Sequence, residues 1–407
     1  MISRVVIFVI ACLAPLIARA QIIPQNDVTT IEQQTNGIMA PLGVPLGAWL
    51  FHPSLEVREA YDDNIYAAPD NEQSDFITTL TPAATLQSNW DLHAIRLFAN
   101  ADITRYADHD RENATDRAIG ASARYDLDYE TFISGFIRHQ RAHEDRFSPN
   151  DANGDKPTRY DDSIALLGFT RALGMIKLYA NAGVRKLDFD DVTANGTRID
   201  NSVRNRTRKH ADVKLAYEIY PHYAAFVRAV YDDRNYDNSA PDRSSNGYHL
   251  QIGTDIDITG KVKGAVYAGM INRDYGAGFK DVHTADFGGS LIWNMTGLTS
   301  LKGEIRRDVL ETTANGVSSF IRTRGDLALE HAFADNMIGT ASLGAYRDRF
   351  NGTTREDDVF IAGAGITYEP VRGAELALDY DFRDRDSNVN SAVFQNHRFT
   401  ARMGYRF

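Results

Sequence analysis

Several things are scarce in this chain, and each scarcity removes a class of protein. Among 407 residues there is one cysteine, Cys12, within the N-terminal twenty. A disulfide framework is excluded, so what holds the rest of the chain together is not sulfur. After residue 20 no stretch approaches the roughly 18 to 20 apolar residues that a transmembrane helix requires, which excludes a helical membrane protein. Basic residues do not dominate: 44 Lys and Arg face 55 Asp and Glu, a net charge of -11, and nucleic acid, which needs a basic face, is not an expected partner. Motifs for catalysis are also missing. No G-x-S-x-G or H-E-x-x-H occurs, "HED" at 143–145 lacks a second histidine four places on, and the glycine pairs "GAGF" (276–279) and "GAGI" (363–366) lack the third glycine of a dinucleotide fingerprint. No enzyme, cofactor or metal is expected.

What is present begins with the leader. "MISRVVIFVIACLAPLIARA" has a basic residue at Arg4, an apolar run from Val5 to Ile17 and a small-x-small site at Ala18-Arg19-Ala20, which reads as a secretory signal peptide over residues 1–20. Val9-Ile10-Ala11 before Cys12 makes a poor lipobox, so the mature chain is expected to start at Gln21. Losing Arg4 and Arg19 takes the charge from -11 to -13. Residues 21–49 are polar, poorly periodic and broken by Pro24, Pro41 and Pro45, and are expected to form a periplasmic tether, too short to be a plug domain.

From about residue 50 to the end the chain alternates. Tight connections such as "SNWD" (88–91), "LGM" (173–175), "YPHY" (220–223) and "VRG" (371–373) take turns with longer polar ones such as "SPNDANGDKPTR" (148–159) and "DVTANGTRIDNSVRN" (191–205). Between them lie about eighteen segments of alternating polarity, each roughly 11 to 15 residues long. In 374–385 Leu376, Leu378, Tyr380 and Phe382 form one row, and Glu375, Asp379, Asp381, Arg383 and Arg385 most of the other. The last strand sets Phe399, Ala401, Met403, Tyr405 and Phe407 against Arg398, Thr400, Arg402 and Arg406. Strands of this length with one dry and one charged row, short turns on one rim and long loops on the other, predict an all-β fold: a transmembrane antiparallel up-and-down barrel of about eighteen strands over residues 50–407. A soluble β-sandwich also alternates, but with shorter strands.

Several placements follow. Arg306, Arg322, Arg324, Asp379, Arg383, Arg398 and Arg402 are expected to line the pore, and Tyr405 and Phe407 to form an assembly signal at the closing strand. Tyr66, Tyr106, Tyr236 and Tyr275 fall at the loop ends of upward strands, and Trp90, Tyr129 and Tyr220 near the short turns, as two aromatic girdles would. Phe132 and Phe136 fall on the inner row, for which the pattern offers no reason. "DANGDKPTRYDD" (151–162) has the oxygen ligands of a calcium loop but carries Lys156 where such a loop needs glycine, so it reads as a solvated turn.

The stretch "EVREAYDDNIYAAPDNEQSDFITTLTPAATLQSNWDLHAIRLFANADITRY" (56–106) resembles the opening of the outer-membrane barrels called the second putative β-barrel porin family: an acidic Tyr-Asp-Asp-Asn strand end, Ser74-Asp75 before the returning strand, and Leu80-x-Pro82 within it. The resemblance extends weakly to Phe407. It implies a Gram-negative outer-membrane protein with lipid and the barrel-assembly machinery as partners, and several relatives are associated with exopolysaccharide export. The expected function is a conduit for a secreted polysaccharide, with the polymer and periplasmic export proteins as further partners; the alternatives are a diffusion porin for small nutrients and a non-conducting structural barrel. Porins fold one extended loop into the lumen, and 145–159 and 190–205 are only moderately long and lack a compact apolar anchor, which favours a wide path.

Overall fold

A computed structural model describes residues 41–238, 242–258, 261–276, 278–314 and 316–407. The expected leader (1–20), Cys12 and residues 21–40 of the expected tether lie outside the described residues. The chain is all-β, with strands β1 (Val44–Leu46), β2 (Trp49–Asp62), β3 (Asp75–Ser88), β4 (Ala94–Tyr106), β5 (Ala114–Asp126), β6 (Thr131–His143), β7 (Arg159–Leu173), β8 (Ile176–Phe189), β9 (Val192–Ala194), β10 (Thr197–Ile199), β11 (Arg206–Tyr220), β12 (Tyr223–Tyr236), β13 (Ser245–Ile258), β14 (Val262–Tyr275), β15 (Val282–Asn294), β16 (Thr299–Glu311), β17 (Ser319–Ala334), β18 (Met337–Phe350), β19 (Glu356–Tyr368), β20 (Ala374–Ser387) and β21 (Phe394–Arg406). Eighteen of these pair antiparallel with their neighbours, and β2 closes the barrel on β21 from Ser54 opposite Arg406 to Asp62 opposite Arg398. Closure pairs the edges that lipid would otherwise strand. β9 and β10 form a hairpin of their own in the loop before β11, and β1 folds back on β2 through Gly47, whose φ of +63° suits a residue without Cβ.

The barrel strands run to 13–16 residues and match the segments read from the pattern within a few positions. The first strand is displaced most: it spans Trp49–Asp62 and ends short of Tyr66, the expected strand end. It stops early because Asn64 closes a turn, donating from its Nδ2 to the carbonyls of Ala68 and Gln395 while its Oδ1 accepts the Ala68 N–H.

Alternation sorts side chains onto two surfaces. On β21, Phe399 and Met403 are 55% and 59% exposed, while Arg398 and Arg402 between them turn to carboxylates inside. An apolar row this exposed on every strand is what lipid contact requires. Phe132 and Phe136 do face inward. Phe136 stacks on Phe98 at 6.2 Å, Arg124 caps Phe132 at 3.9 Å, and Phe98 lies flat over Gly120, where a Cβ would sit 2.4 Å from its ring. Glycine there leaves room for an aromatic on the neighbouring strand, and the cluster makes a local apolar patch on the lumen wall.

One expectation about girdles is corrected. Trp90, Tyr129 and Tyr220 are exposed near the short turns, but Tyr106, Tyr236 and Tyr275 turn inward: Tyr236 donates to Glu311 at 2.6 Å, Tyr275 packs with Ile271 and Val282, and Tyr106 and Tyr66 pack against Ala60, Ile65 and Ile77. The reason is parity. In "YDDRNY" the two tyrosines, 231 and 236, are five apart, so a period of two sends them to opposite faces, and it is Tyr231, 51% exposed, that faces out.

Candidate functional site

The barrel encloses a lumen, and its long-loop half is filled. Asp62, Asp162, Asp232 and Arg273, all pointing inward, are at most 1% exposed, which an open channel wall of this strand number would not permit. The filler is the connection between β6 and β7, residues 144–158. Glu144 accepts from both Nη atoms of Arg204 at 2.6 and 2.9 Å, and Arg146 donates to Glu112 at 2.7 and 2.9 Å. Phe147 goes furthest: its ring lies 5.2 Å from that of Phe394 and beneath the Arg383 guanidinium at 4.7 Å, while its carbonyl accepts from Arg385 at 2.6 Å. Asn150 donates to the Glu311 carbonyl at 3.2 Å and accepts the Thr313 N–H at 3.0 Å. One short segment is thus tied at once to β20 and β21 and to the end of β16, and Asp155 clips it to the β9–β10 hairpin through the Thr193 carbonyl at 2.6 Å.

This corrects the expectation of a wide path. The loop has its anchor after all, but the anchor is a single aromatic, Phe147, set among arginines and carboxylates, so no apolar cluster marks it in the sequence. Burial raises the carboxyl of Asp151 to about 6 despite the Arg146 guanidinium 3.3 Å away, whereas Arg146 is pushed further up by its two carboxylate partners against the cost of burial.

All seven residues expected in the pore lie on inward rows, and nearly all are paired. Arg402 donates to Asp379 at 2.9 Å and Glu375 at 3.3 Å, Arg398 to Asp62 at 2.7 Å, Arg322 to Asp348 at 2.5 and 2.7 Å, and Arg324 to Asp326 at 2.7 Å; Arg306 sits between Glu304 and Asp308 at 3.2 and 3.3 Å. The register brings Arg306 opposite Arg324 and Asp308 opposite Arg322. Arg383 instead caps Phe147.

Pattern reading missed the pairings that cross the lumen. Arg234 on β12 donates to Glu311 at the end of β16, four strands away, and Asp232 accepts from Arg208, Arg234 and Arg273. Such pairs are invisible to a period of two, which says which face a side chain takes but not what lies opposite across a barrel. The calcium-like set disperses: Asp151 pairs with Arg146, Asp155 with the β9–β10 hairpin, and Asp162 with Arg138 at 2.7 Å and Arg185 at 2.7 Å. No shared cavity is left for an ion among them.

Comparison with known proteins agrees with this architecture. No curated protein matches the chain. Among solved structures, a mutant of the ferric enterobactin receptor PfeA from Pseudomonas aeruginosa matches with a TM-score of 0.51 at 8% identity, covering 88% of this chain and 80% of that one, a likeness of fold alone. OpdO of Pseudomonas aeruginosa matches with a TM-score of 0.47 at 14% identity, covering 88% and 97%. The family model described as Putative beta-barrel porin 2 matches residues 38–407. The chain belongs to that family of β-barrel porins.

Proposed function

We propose that the protein is a diffusion channel of the Gram-negative outer membrane for small hydrophilic solutes. The observation that carries this reading is the segment 144–158, tied across the lumen from Arg385 to Glu311. A polysaccharide in transit needs a continuous clear path, and here one would have to pass a loop held by buried ion pairs on several sides. A small solute can pass beside the loop through the remaining aperture, where walls of mixed charge wet readily and bind weakly. Membership of a porin family and the lipid-compatible outer row of the barrel support the location. Lipid and the assembly machinery remain the expected partners.

The conduit for secreted polysaccharide is therefore the second reading. Purified barrel in liposomes should admit monosaccharides and exclude oligosaccharides in a swelling assay, and a deletion strain should slow uptake of small solutes while secreting polymer normally. Loss of the secreted polymer with unchanged small-solute uptake would restore the conduit in place of the channel.

A further inference from the structure

A cleft of about 90 Å³ lies between Ser148–Asn150 of the inward loop and the wall made by β8, β11, β12 and the end of β16. A single water needs about 10–15 Å³ of such space, so the cleft has room for several waters or for a small anionic group. Its lining is unusually basic. Arg185, Arg204, Arg208, Arg234 and Arg322 line it with carboxylates in ion-pair contact, whereas Arg206, which only feels Glu311 at longer range, and Arg243 have none at that distance among the described residues. Seven arginines line the cleft, and Glu311 is the one carboxylate among its described lining residues; Glu144, Asp162, Asp232 and Asp348 pair with Arg204, Arg185, Arg208 and Arg322. This basic lining stands inside a chain whose net charge is -11.

The two arginines without a carboxylate in contact are held in place by neutral groups. Arg206 donates to the Arg204 carbonyl at 2.8 Å and lies over the rings of Phe189 and Tyr236 at 5.7 and 5.5 Å. Arg243 donates to the carbonyls of Thr312 at 2.5 Å and Ala314 at 3.4 Å, is 7% exposed, and keeps a buried Nε with no partner among the described residues. Elsewhere in the lumen Arg306 and Arg402 each lie against two carboxylates. A buried guanidinium without a counter-ion is costly, and its planar fork of donors matches an oxyanion.

We propose that this cleft binds the anionic group of a small solute, a carboxylate or a phosphate, with Arg206 and Arg243 supplying the missing charge balance. The proposal names a solute class for the channel reading and rests on it only for transport; binding is tested separately. The full-length barrel, purified in detergent at constant ionic strength, is titrated with inorganic phosphate and with acetate against a chloride control, and its thermal unfolding is followed. One or both anions should raise the unfolding temperature beyond chloride. The R206Q/R243Q variant should weaken that binding by on the order of tenfold to a hundredfold, the loss of charge-assisted hydrogen bonds, while R347Q, on the outer surface, keeps it and R206K/R243K keeps part of it. Heat-modifiable migration of each variant checks that it is folded.

A response to phosphate alone assigns a phosphorylated solute, and a response to acetate alone a carboxylate. No response to either anion, or an equal response in R206Q/R243Q, overturns the proposal. Bilayer recordings keep the two readings apart. A barrel that binds the anion but passes no current refutes the channel, and one that conducts without binding it refutes the site.

Discussion

Replacing Phe147 by alanine asks most directly whether the inward loop sets the aperture. Phe147 is 7% exposed, packed on Phe394 and capped by Arg383. Truncating a buried Phe to Ala costs about 3–5 kcal/mol in a protein core. Here that cost falls almost wholly on docking of the loop, because Phe147 belongs to no strand and the ladder that closes the barrel does not depend on it. At a factor of ten per 1.4 kcal/mol, the ratio of docked to released loop should fall by roughly 10² to 4 × 10³. Glu144 and Arg146 would still hold the loop's root, so the variant to pair with it is Glu144→Gln, which leaves Arg204 buried with only part of its charge answered, at a cost of up to about 3–5 kcal/mol. The double variant should show higher single-channel conductance in planar bilayers, admit larger sugars in liposome swelling, and be cleaved by protease between Phe147 and Lys156 while still migrating as a folded barrel. Cleavage without any change in conductance or size limit would refute the reasoning, for the loop would then be free and the aperture elsewhere.

Two further outcomes follow from the structure. Replacing Tyr405 and Phe407 by Asp puts charge on a lipid-facing row, where Tyr405 and Phe407 meet edge to face at 4.7 Å, and should leave an unassembled, protease-sensitive chain; normal heat-modifiable migration would show that the closing strand tolerates it. Asp151, with its carboxyl raised from 3.8 to about 6, makes loop docking pH-dependent: a raised folded-state value contributes stability that is fully present below about pH 4 and lost as pH rises through 6, up to ~3 kcal/mol. Proteolysis of the loop relative to an Asp151→Asn control should therefore be slower at pH 5 than at pH 8, and equal ratios at the two pH values would refute it.

Much of this architecture was legible in the sequence because a barrel in lipid obeys a local rule. Each strand must present apolar groups outward at every second residue, so Leu376, Leu378 and Tyr380, or Phe399 and Met403, announce the membrane from a single segment, and the two kinds of connection announce which rim is which. Parity is robust until the strand ends, and it is at strand ends that reading failed: Tyr236 and Tyr275 look like girdle residues by their place in the sequence and are interior by their register. The lumen was legible only as a list of inward charges. What joins Arg234 to Glu311, or Phe147 to Phe394, is barrel closure, which places strands far apart in the chain face to face. No periodicity encodes that, and so the inward loop looked anchorless.

The use of charge in the filled half of the lumen has a physical logic. An apolar filler would have held the loop by burial alone, with little preference for one position over its neighbours, since dispersion contacts are nondirectional. Arginine and carboxylate are poor net stabilisers when buried but severe discriminators, because a shifted partner leaves an uncompensated charge. Asp232 with its three arginines and Glu144 with Arg204 therefore define a location more than they add stability. Because stability of the barrel comes from its closed ladder of backbone hydrogen bonds, the interior is at liberty to use groups chosen for position and for their affinity toward solutes. A loop held by charge is also one that a charged solute can reach: an anion entering beside Arg206 and Arg243 meets the field of the arginines that hold the loop, so occupancy of the cleft and docking of the loop are coupled through the same ion pairs.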